Sequence, residues 1–170
     1  MQQETVDWRA WSVFFERRAS RPMLRQGNDE QHLELPDSLA IFQLGESGGG
    51  TIIEQAVRSN IDGIDAHYAN AMRLFAREEN RHADILAICV RMLGGSLIRE
   101  NWTAMLFVHS RRLLGLRLKV LVLLAAEVFG LCYYHLLASK LPPCRIKTLR
   151  AQLVSDEQPH LQFHCCFLRA

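Results

Sequence analysis

One five-residue pattern occurs twice in this chain and restricts its fold more than any other feature. The letters EENRH at residues 78–82 and DEQPH at residues 156–160 each place two acids just before a histidine. On a helix, side chains three residues apart leave from the same face, so the second acid and the histidine project together. Burying such charges without partners is costly. A fold that buries both motifs must therefore bring them together or neutralise them with a bound cation.

The remaining sequence predicts helices to carry these motifs. Helical periodicity is plentiful and strand signals are scarce, so we expect an all-α fold. The chain has 170 residues, of which 49% are hydrophobic and 22% charged. Such a length and composition are expected of one globular domain. We expect a single domain over residues 1–170, with a helical extension and linker at 1–35 and a four-helix bundle at 36–170.

Capping and breaking residues give the expected helix limits. An amphipathic N-terminal helix ends near Pro22. The four bundle helices are expected from Pro36 to about Arg58, from Asp62 to Leu93, from Arg111 to Lys140, and from Pro143 to the end. About sixteen residues join helices 2 and 3, and they could span about 50 Å, which allows a long crossover along the bundle.

Two further acids lie in apolar segments at matching depths. Glu127 stands inside LVLLAAEVFGL, nearly as far before Lys140 as Glu157 lies after Pro143. In an antiparallel hairpin these two positions meet at one level. Helix 1 offers Glu46 on an apolar line, and Glu54, about 80° further round the helix, remains an alternative.

With these acids the chain resembles the ferritin-like di-iron carboxylate superfamily, which includes rubrerythrins and oxygenases. That family takes one Glu from each of two helices and Glu-x-x-His from each of the others. The resemblance covers residues 36–170 and implies a ferritin-like four-helix bundle that binds two iron ions, with manganese or a mixed pair as alternatives. The implied ligands are Glu46, Glu79, His82, Glu127, Glu157 and His160. It further implies that Asp156 orients His82 and that Glu78 orients His160.

Pro159 departs from the family pattern, which usually has a polar residue between the ligands. Inside a helix, proline removes a hydrogen bond at a cost of about 3 kcal/mol. A new helix starting there would be too short to complete the bundle. We therefore expect one continuous helix with a kink or π-bulge.

The resemblance implies an O2-dependent oxidoreductase that uses an external electron donor. The chain has no C-x-x-C pair, and Leu86 stands where the radical tyrosine of ribonucleotide reductase would be. Glycines near the ligands leave space for an apolar substrate, so Gly49, Gly50, Gly130 and Tyr134 are candidate pocket residues. The alternatives are a ferroxidase or iron-storage protein and a non-catalytic helical module.

Charge and composition limit the partners and the compartment. A net charge of +2 gives no reason to expect nucleic acid. Five cysteines without a secretory signal favour the cytoplasm. The segment 118–138 is nearly long enough to span a bilayer, but Glu127 and His135 within it favour a buried bundle helix. We expect no membrane partner and allow for a homodimer.

Overall fold

The computed structural model describes residues 6–21, 35–47, 50–58, 61, 64–98, 115–140 and 145–169. All regular secondary structure within these residues is helical, which confirms the all-α prediction. The helices are α1 (Trp8–Ala19), α2 (Pro36–Glu46), α3 (Gly50–Arg58), α4 (Ala66–Met92), α5 (Leu116–Lys140) and α6 (Arg145–Arg169).

Two local signals set the ends of α4. The side chain of Asp65 caps its start by accepting a hydrogen bond from the Tyr68 amide at 2.9 Å. The helix therefore begins slightly later than the predicted Asp62. At the other end Gly94 has a φ of 77°, a conformation that favours glycine. The Gly95 amide then donates to the Val90 carbonyl at 2.9 Å, which completes a Schellman cap. The predicted glycine stop is confirmed.

The prediction of one continuous first bundle helix, from Pro36 to about Arg58, is wrong. Helix α2 ends at Glu46 with Ser47 as its C-cap, and α3 begins at Gly50. Residues 48 and 49 lie outside the described part of the chain. Each glycine in a helix interior costs about 1 kcal/mol relative to alanine, so three in succession favour a break at this point.

Helix α6 continues through Pro159, as predicted. It is α-helical from residue 145 to 169, so the expected π-bulge is not found in this range. The predicted crossover covers residues 95–110, of which residues 99–110 lie outside the described residues. So do positions 111–114 at the predicted start of the third bundle helix.

Helix α4 is the centre of the packing, since α1, α2, α3 and α6 all contact it, while α5 packs along α6. Two hydrophobic clusters fill the interior at different depths. One gathers Leu39, Ile85, Leu86, Cys89, Tyr134 and Leu153, and the other gathers Trp8, Phe15, Tyr68, Phe75, Phe163 and Phe167. Both motifs fall between the two clusters along their helices: Glu79 and His82 lie between Phe75 and Leu86, and Glu157 and His160 lie between Leu153 and Phe163.

The predicted N-terminal helix is confirmed, and it covers one side of the interior at the depth of the two motifs. Phe15 on α1 packs edge to face on Phe163 of α6, with ring centroids 5.2 Å apart. The same ring lies 5.9 Å from that of His160. Helix α1 is therefore part of the wall around the motifs.

Helix α5 is unusually apolar on its outer side. By length and composition, Leu116–Leu137 could cross a bilayer, and about a third of its most apolar window is buried. Phe129 and Leu136 on its outer side are exposed. The core helix of a soluble bundle satisfies the same test, so the absence of a membrane partner stays a prediction.

Candidate metal centre

The structure brings the six predicted ligands together from four helices. Helix α2 contributes Glu46, α5 contributes Glu127, and α4 and α6 each contribute a Glu-x-x-His pair. Potential ligand atoms of these six residues lie within 4.8 Å of one another in three overlapping groups: Glu46, His82 and Glu157; Glu79, His82 and His160; Glu127, Glu157 and His160. A fourth group joins His82 to Glu78 and Asp156. All of these side chains are buried except Glu46, which is half-buried.

The alternative helix 1 ligand, Glu54, lies elsewhere. It is exposed on α3, whereas the Tyr134 hydroxyl donates to Glu46 Oε1 at 2.9 Å and ties it to α5. Of the two acids, only Glu46 belongs to a group of potential ligand atoms in the described residues. The cluster therefore takes its helix 1 carboxylate from the end of α2.

Each histidine presents one nitrogen to the cluster interior and the other to an acid outside the cluster. These outer acids are Asp156 for His82 and Glu78 for His160. His82 Nδ1 lies 3.3 Å from Glu157 Oε1, and His82 Nε2 lies 3.4 Å from Asp156 Oδ2. His160 repeats this arrangement, with Nδ1 3.0 Å from Glu79 Oε1 and Nε2 3.3 Å from Glu78 Oε2. Each outer acid faces the histidine of the opposite helix, the pairing that the resemblance implies. A proton on Nε2 leaves the Nδ1 lone pair directed inward.

Two of the four inner carboxylates contact both histidines. Glu79 Oε1 is 3.5 Å from Nδ1 of His82 and 3.0 Å from Nδ1 of His160. Glu157 approaches the same two nitrogens at 3.3 and 3.7 Å. By contrast, Glu127 approaches His160 Nδ1 at 3.7 Å. Glu79 and Glu157 thus each lie near both histidine rings.

Several polar atoms directed into this interior contact one another at 3.0–3.5 Å as ion pairs but make no well-aligned hydrogen bond. They are Nδ1 of His82, Nδ1 of His160, Oε1 of Glu79 and Oε1 of Glu157. Buried polar atoms are normally paired, and unpaired ones require an explanation. Nitrogen and carboxylate oxygen are ligands that iron and manganese accept, so this donor set fits a metal.

Crowding of acids raises the pKa of three inner carboxyl groups. Burial, and then the Glu79 charge, raise the pKa of Glu46 well above its ordinary value. Burial, and then the neighbouring Glu157, do the same for the pKa of Glu127. Burial and Glu127 also raise the pKa of Glu79. Carboxyl groups held this close favour a proton or a metal cation over shared negative charge.

The outer acids have a cation supplied by the chain. Arg18 on α1 is buried and its Nε donates to Glu78 at 2.8 and 3.1 Å, while its Nη2 pairs with both Glu78 and Asp156. Arg21 adds a second contact to Asp156 at 3.0 Å. Burial would raise the pKa of Glu78, but hydrogen bonds from His160 and Arg18 outweigh it and lower the pKa to about 2.

Neither Arg18 nor His164 is among the site residues that the sequence predicts. The segment ERRASR contains three arginines, and nothing in it distinguishes the one that becomes buried. His164 is fully buried one turn after His160, with Nε2 3.6 Å from Glu127 Oε1. Burial lowers the pKa of His164 to about 3. Its position one turn after a candidate ligand was the available signal.

A cavity of about 250 Å³ leads to the carboxylates from the surface between α2 and α5. Glu46, Glu79 and Glu127 form its polar end, and apolar side chains including Phe42, Leu123 and Phe129 form its walls. Gly130, a predicted pocket residue, lines it, as does Gly45, which sequence reasoning missed. Tyr134 borders the site through its bond to Glu46.

The other predicted pocket residues add little here. Gly49 lies outside the described residues, and Gly50 is described only as the first backbone position of α3. A β-carbon at Gly45 would meet nothing within 4 Å, and one at Gly130 would make an ordinary contact with Tyr134 at 3.6 Å. Both positions therefore have room for a β-carbon.

Comparison with known proteins identified no relative of this chain. No protein-family model, curated protein or solved structure matches this chain.

Proposed function

We propose that the chain is a ferritin-like protein that binds two iron ions, or manganese ions, and oxidises a small apolar organic molecule with O2. In this proposal α2 with α3, α4, α5 and α6 are the four helical members of the bundle. The observation that carries the proposal is a set of three buried carboxylates, one half-buried carboxylate and two Nδ1 atoms directed at one interior. In the described chain, the ion-pair contacts of Glu79, Glu127 and Glu157 are made with histidine rings.

The distances suggest how the ligands divide between two ions. Glu46 groups with His82, and Glu127 groups with His160. Glu79 and Glu157 lie near both histidines and would be shared. Four carboxylates offset the charge of two divalent ions, which supports a pair of ions over a single one.

The chain's own groups prepare the site for redox chemistry. Iron at this position would supply electrons to O2, and an external donor would replace them. The outer acids hold the histidine rings in one orientation, with Nδ1 inward. Phe75 packs edge to face on His160 at 4.8 Å, and Phe15 covers the same ring, so that side of the cluster is shielded from water.

The apolar cavity supports an organic substrate. Its walls are mostly hydrocarbon and its inner end is formed by three candidate ligands, so a small apolar molecule could lie beside them. Exposed Ile41 and Phe129 stand at its edge. A ferroxidase or iron-storage protein would have hydrated Fe(II) as its substrate, for which such walls are unsuited. Size-exclusion chromatography separates the two, since a particle of about twenty-four subunits would favour storage.

Metal analysis tests the proposal directly. After anaerobic reconstitution with Fe(II) and desalting, we expect about two iron ions per chain. Glu46→Ala should lose iron, and Glu54→Ala, which removes an exposed acid nearby in sequence, should retain it. A wild-type chain without bound iron or manganese would support a non-catalytic module, and equal losses in both variants would show that Glu46 is not a specific ligand.

A further inference from the structure

A second cavity lies between α1 and α4, on the side of the outer acids. It measures about 260 Å³, which is enough for a small ion but less than the pockets of about 300–1,000 Å³ that hold drug-sized ligands. Its lining includes Phe15, Glu78 and four arginines, which are Arg18, Arg21, Arg77 and Arg81. We call it the arginine cavity.

Positive charge at the lining of the arginine cavity exceeds negative charge. Its four guanidinium groups remain protonated at all physiological pH values. Among the described residues, Glu78 is the one carboxylate that lines the cavity, and Asp156, which pairs with Arg18 and Arg21, is a second acid beside them. Four arginines therefore border one small cavity beside two carboxylates, and Arg18 and Arg21 are paired with those acids in the described chain.

The arginines differ in how far they are already engaged. Arg18 forms the buried floor, held by both carboxylates. Arg21 pairs with Asp156, but 44% of its side chain stays exposed. Arg81 is turned toward α1, since its Nη1 donates to the Arg18 carbonyl at 3.3 Å. Arg77 is exposed and has no hydrogen-bond or ion-pair partner among the residues that the structure describes.

The spacing of three arginines along α4 is unfavourable for the helix by itself. Arg73, Arg77 and Arg81 follow one another one turn apart, which places like charges side by side. The first of these donates to Asn70 at 2.9 Å and does not line the cavity. The other two line the cavity together with the arginines of α1, so an anion between the helices would relieve the repulsion.

We propose that the arginine cavity binds a small dianionic oxyanion of the phosphate type, either free phosphate or the phosphate group of a monoester. Guanidinium groups match phosphate oxygens in pairs of parallel hydrogen bonds. A phosphate has enough oxygens to accept from both helices at once, whereas a carboxylate has two and carries half the charge. This site adjoins the metal centre, because Glu78 both lines the arginine cavity and contacts His160 Nε2 at 3.3 Å.

Calorimetric titration of the full-length chain with inorganic phosphate tests the site. Prior dialysis against a chelator prevents phosphate from binding to iron, and chloride keeps the ionic strength constant. We expect saturable binding of one phosphate per chain. Arg77→Gln should weaken it about ten-fold or more, because it removes a charge-assisted hydrogen bond. Arg73→Gln is the matched control, with the same charge change one turn away, and should bind within about two-fold of wild type.

Three results would overturn the proposal. They are no saturable binding at millimolar phosphate, equal weakening in the Arg77 and Arg73 variants, and acetate binding as tightly as phosphate. If Arg77→Gln lacks the wild-type circular dichroism spectrum, Arg21→Gln takes its place with the same expectation. Glycerol phosphate distinguishes the two sources of the group, because tighter binding than phosphate indicates a monoester and equal binding indicates the free ion.

Discussion

The two sides of each buried imidazole ring face acids that are neutralised in different ways. On the outer side, Glu78 and Asp156 share the guanidinium of Arg18, and the pKa of Glu78 falls to about 2. On the inner side, burial and neighbouring acids raise the pKa values of Glu46 and Glu127 well above their ordinary range. Glu157 is the exception on the inner side: burial would raise its pKa, but hydrogen bonds with Glu127, His160 and His82 hold it well below its ordinary value. Glu46 and Glu127 thus have electrostatic surroundings opposite to those of Glu78.

This difference indicates which charges the chain satisfies by itself. The outer acids each contact a histidine Nε2, at 3.4 and 3.3 Å, and are neutralised by a permanent cation from α1. The inner acids are crowded against one another and against the inward Nδ1 atoms, an arrangement that an exogenous cation would stabilise. Each of the following predictions tests one side of this comparison.

Removing the outer cation should have the largest effect. Arg18→Leu leaves Glu78 and Asp156 buried without their guanidinium, and breaking a buried ion pair in this way costs about 3–5 kcal/mol. Urea unfolding of the chelator-treated protein measures the change. Arg17 is an exposed neighbour on α1. Arg17→Leu should therefore stay within about 0.5 kcal/mol of wild type. Similar small losses in both variants would mean that the outer acids do not need Arg18.

Removing a shared inner carboxylate should have the next largest effect. Glu157 lies near Nδ1 of both histidines. Glu157→Ala should therefore weaken the binding of both ions by about a hundred-fold or more, equivalent to about 2.7 kcal/mol. Competition with a chelator of known affinity measures this. Asp84→Ala, which removes an exposed acid from α4, should bind like wild type. Unchanged affinity in the Glu157 variant would contradict its role as a shared ligand.

Neutralising an outer acid should have a smaller effect on the affinity for metal. Asp156→Asn keeps the shape of the side chain but weakens its hold on His82 Nε2. We expect a loss of about 10–100-fold in affinity with the stoichiometry unchanged. Glu78→Gln should lower the metal affinity by a similar factor, because Glu78 contacts His160 Nε2. Competition titrations with Mn(II) compare the two variants with wild type. An affinity equal to wild type in both would show that the rings are held by other contacts.

The smallest expected effect concerns stability without metal. Glu127→Ala removes one of four crowded carboxyl groups, so the free energy of unfolding of the metal-free protein should change by less than about 1 kcal/mol or increase. The same variant should fail to retain iron. Thermal and urea unfolding measure the first part. A loss of several kcal/mol would reveal a structural partner, for which His164 at 3.6 Å is the candidate.

Periodicity along single helices made much of this site predictable. Ligand pairs three residues apart share a face whatever the rest of the fold does, and apolar neighbours at helical spacing direct that face inward. Matching depths in a hairpin then placed Glu127 and Glu157 at one level. The choice between Glu46 and Glu54 was open from the sequence. A break in the helix after Glu46 changes the face on which the later residues lie.

By itself, the sequence determined the all-α class, the glycine stop at the end of α4, the passage of α6 through Pro159 and the acids and histidines of the cluster. Only the tertiary structure decided the rest: that α1 lies against α4 and α6, that Arg18 rather than Arg17 or Arg21 becomes the buried cation, and that Gly45 borders a cavity. The physical reason is that periodicity fixes directions within one helix. The position of a second helix depends on side-chain packing between them, such as that of Phe15 on Phe163, which has no counterpart in the local sequence.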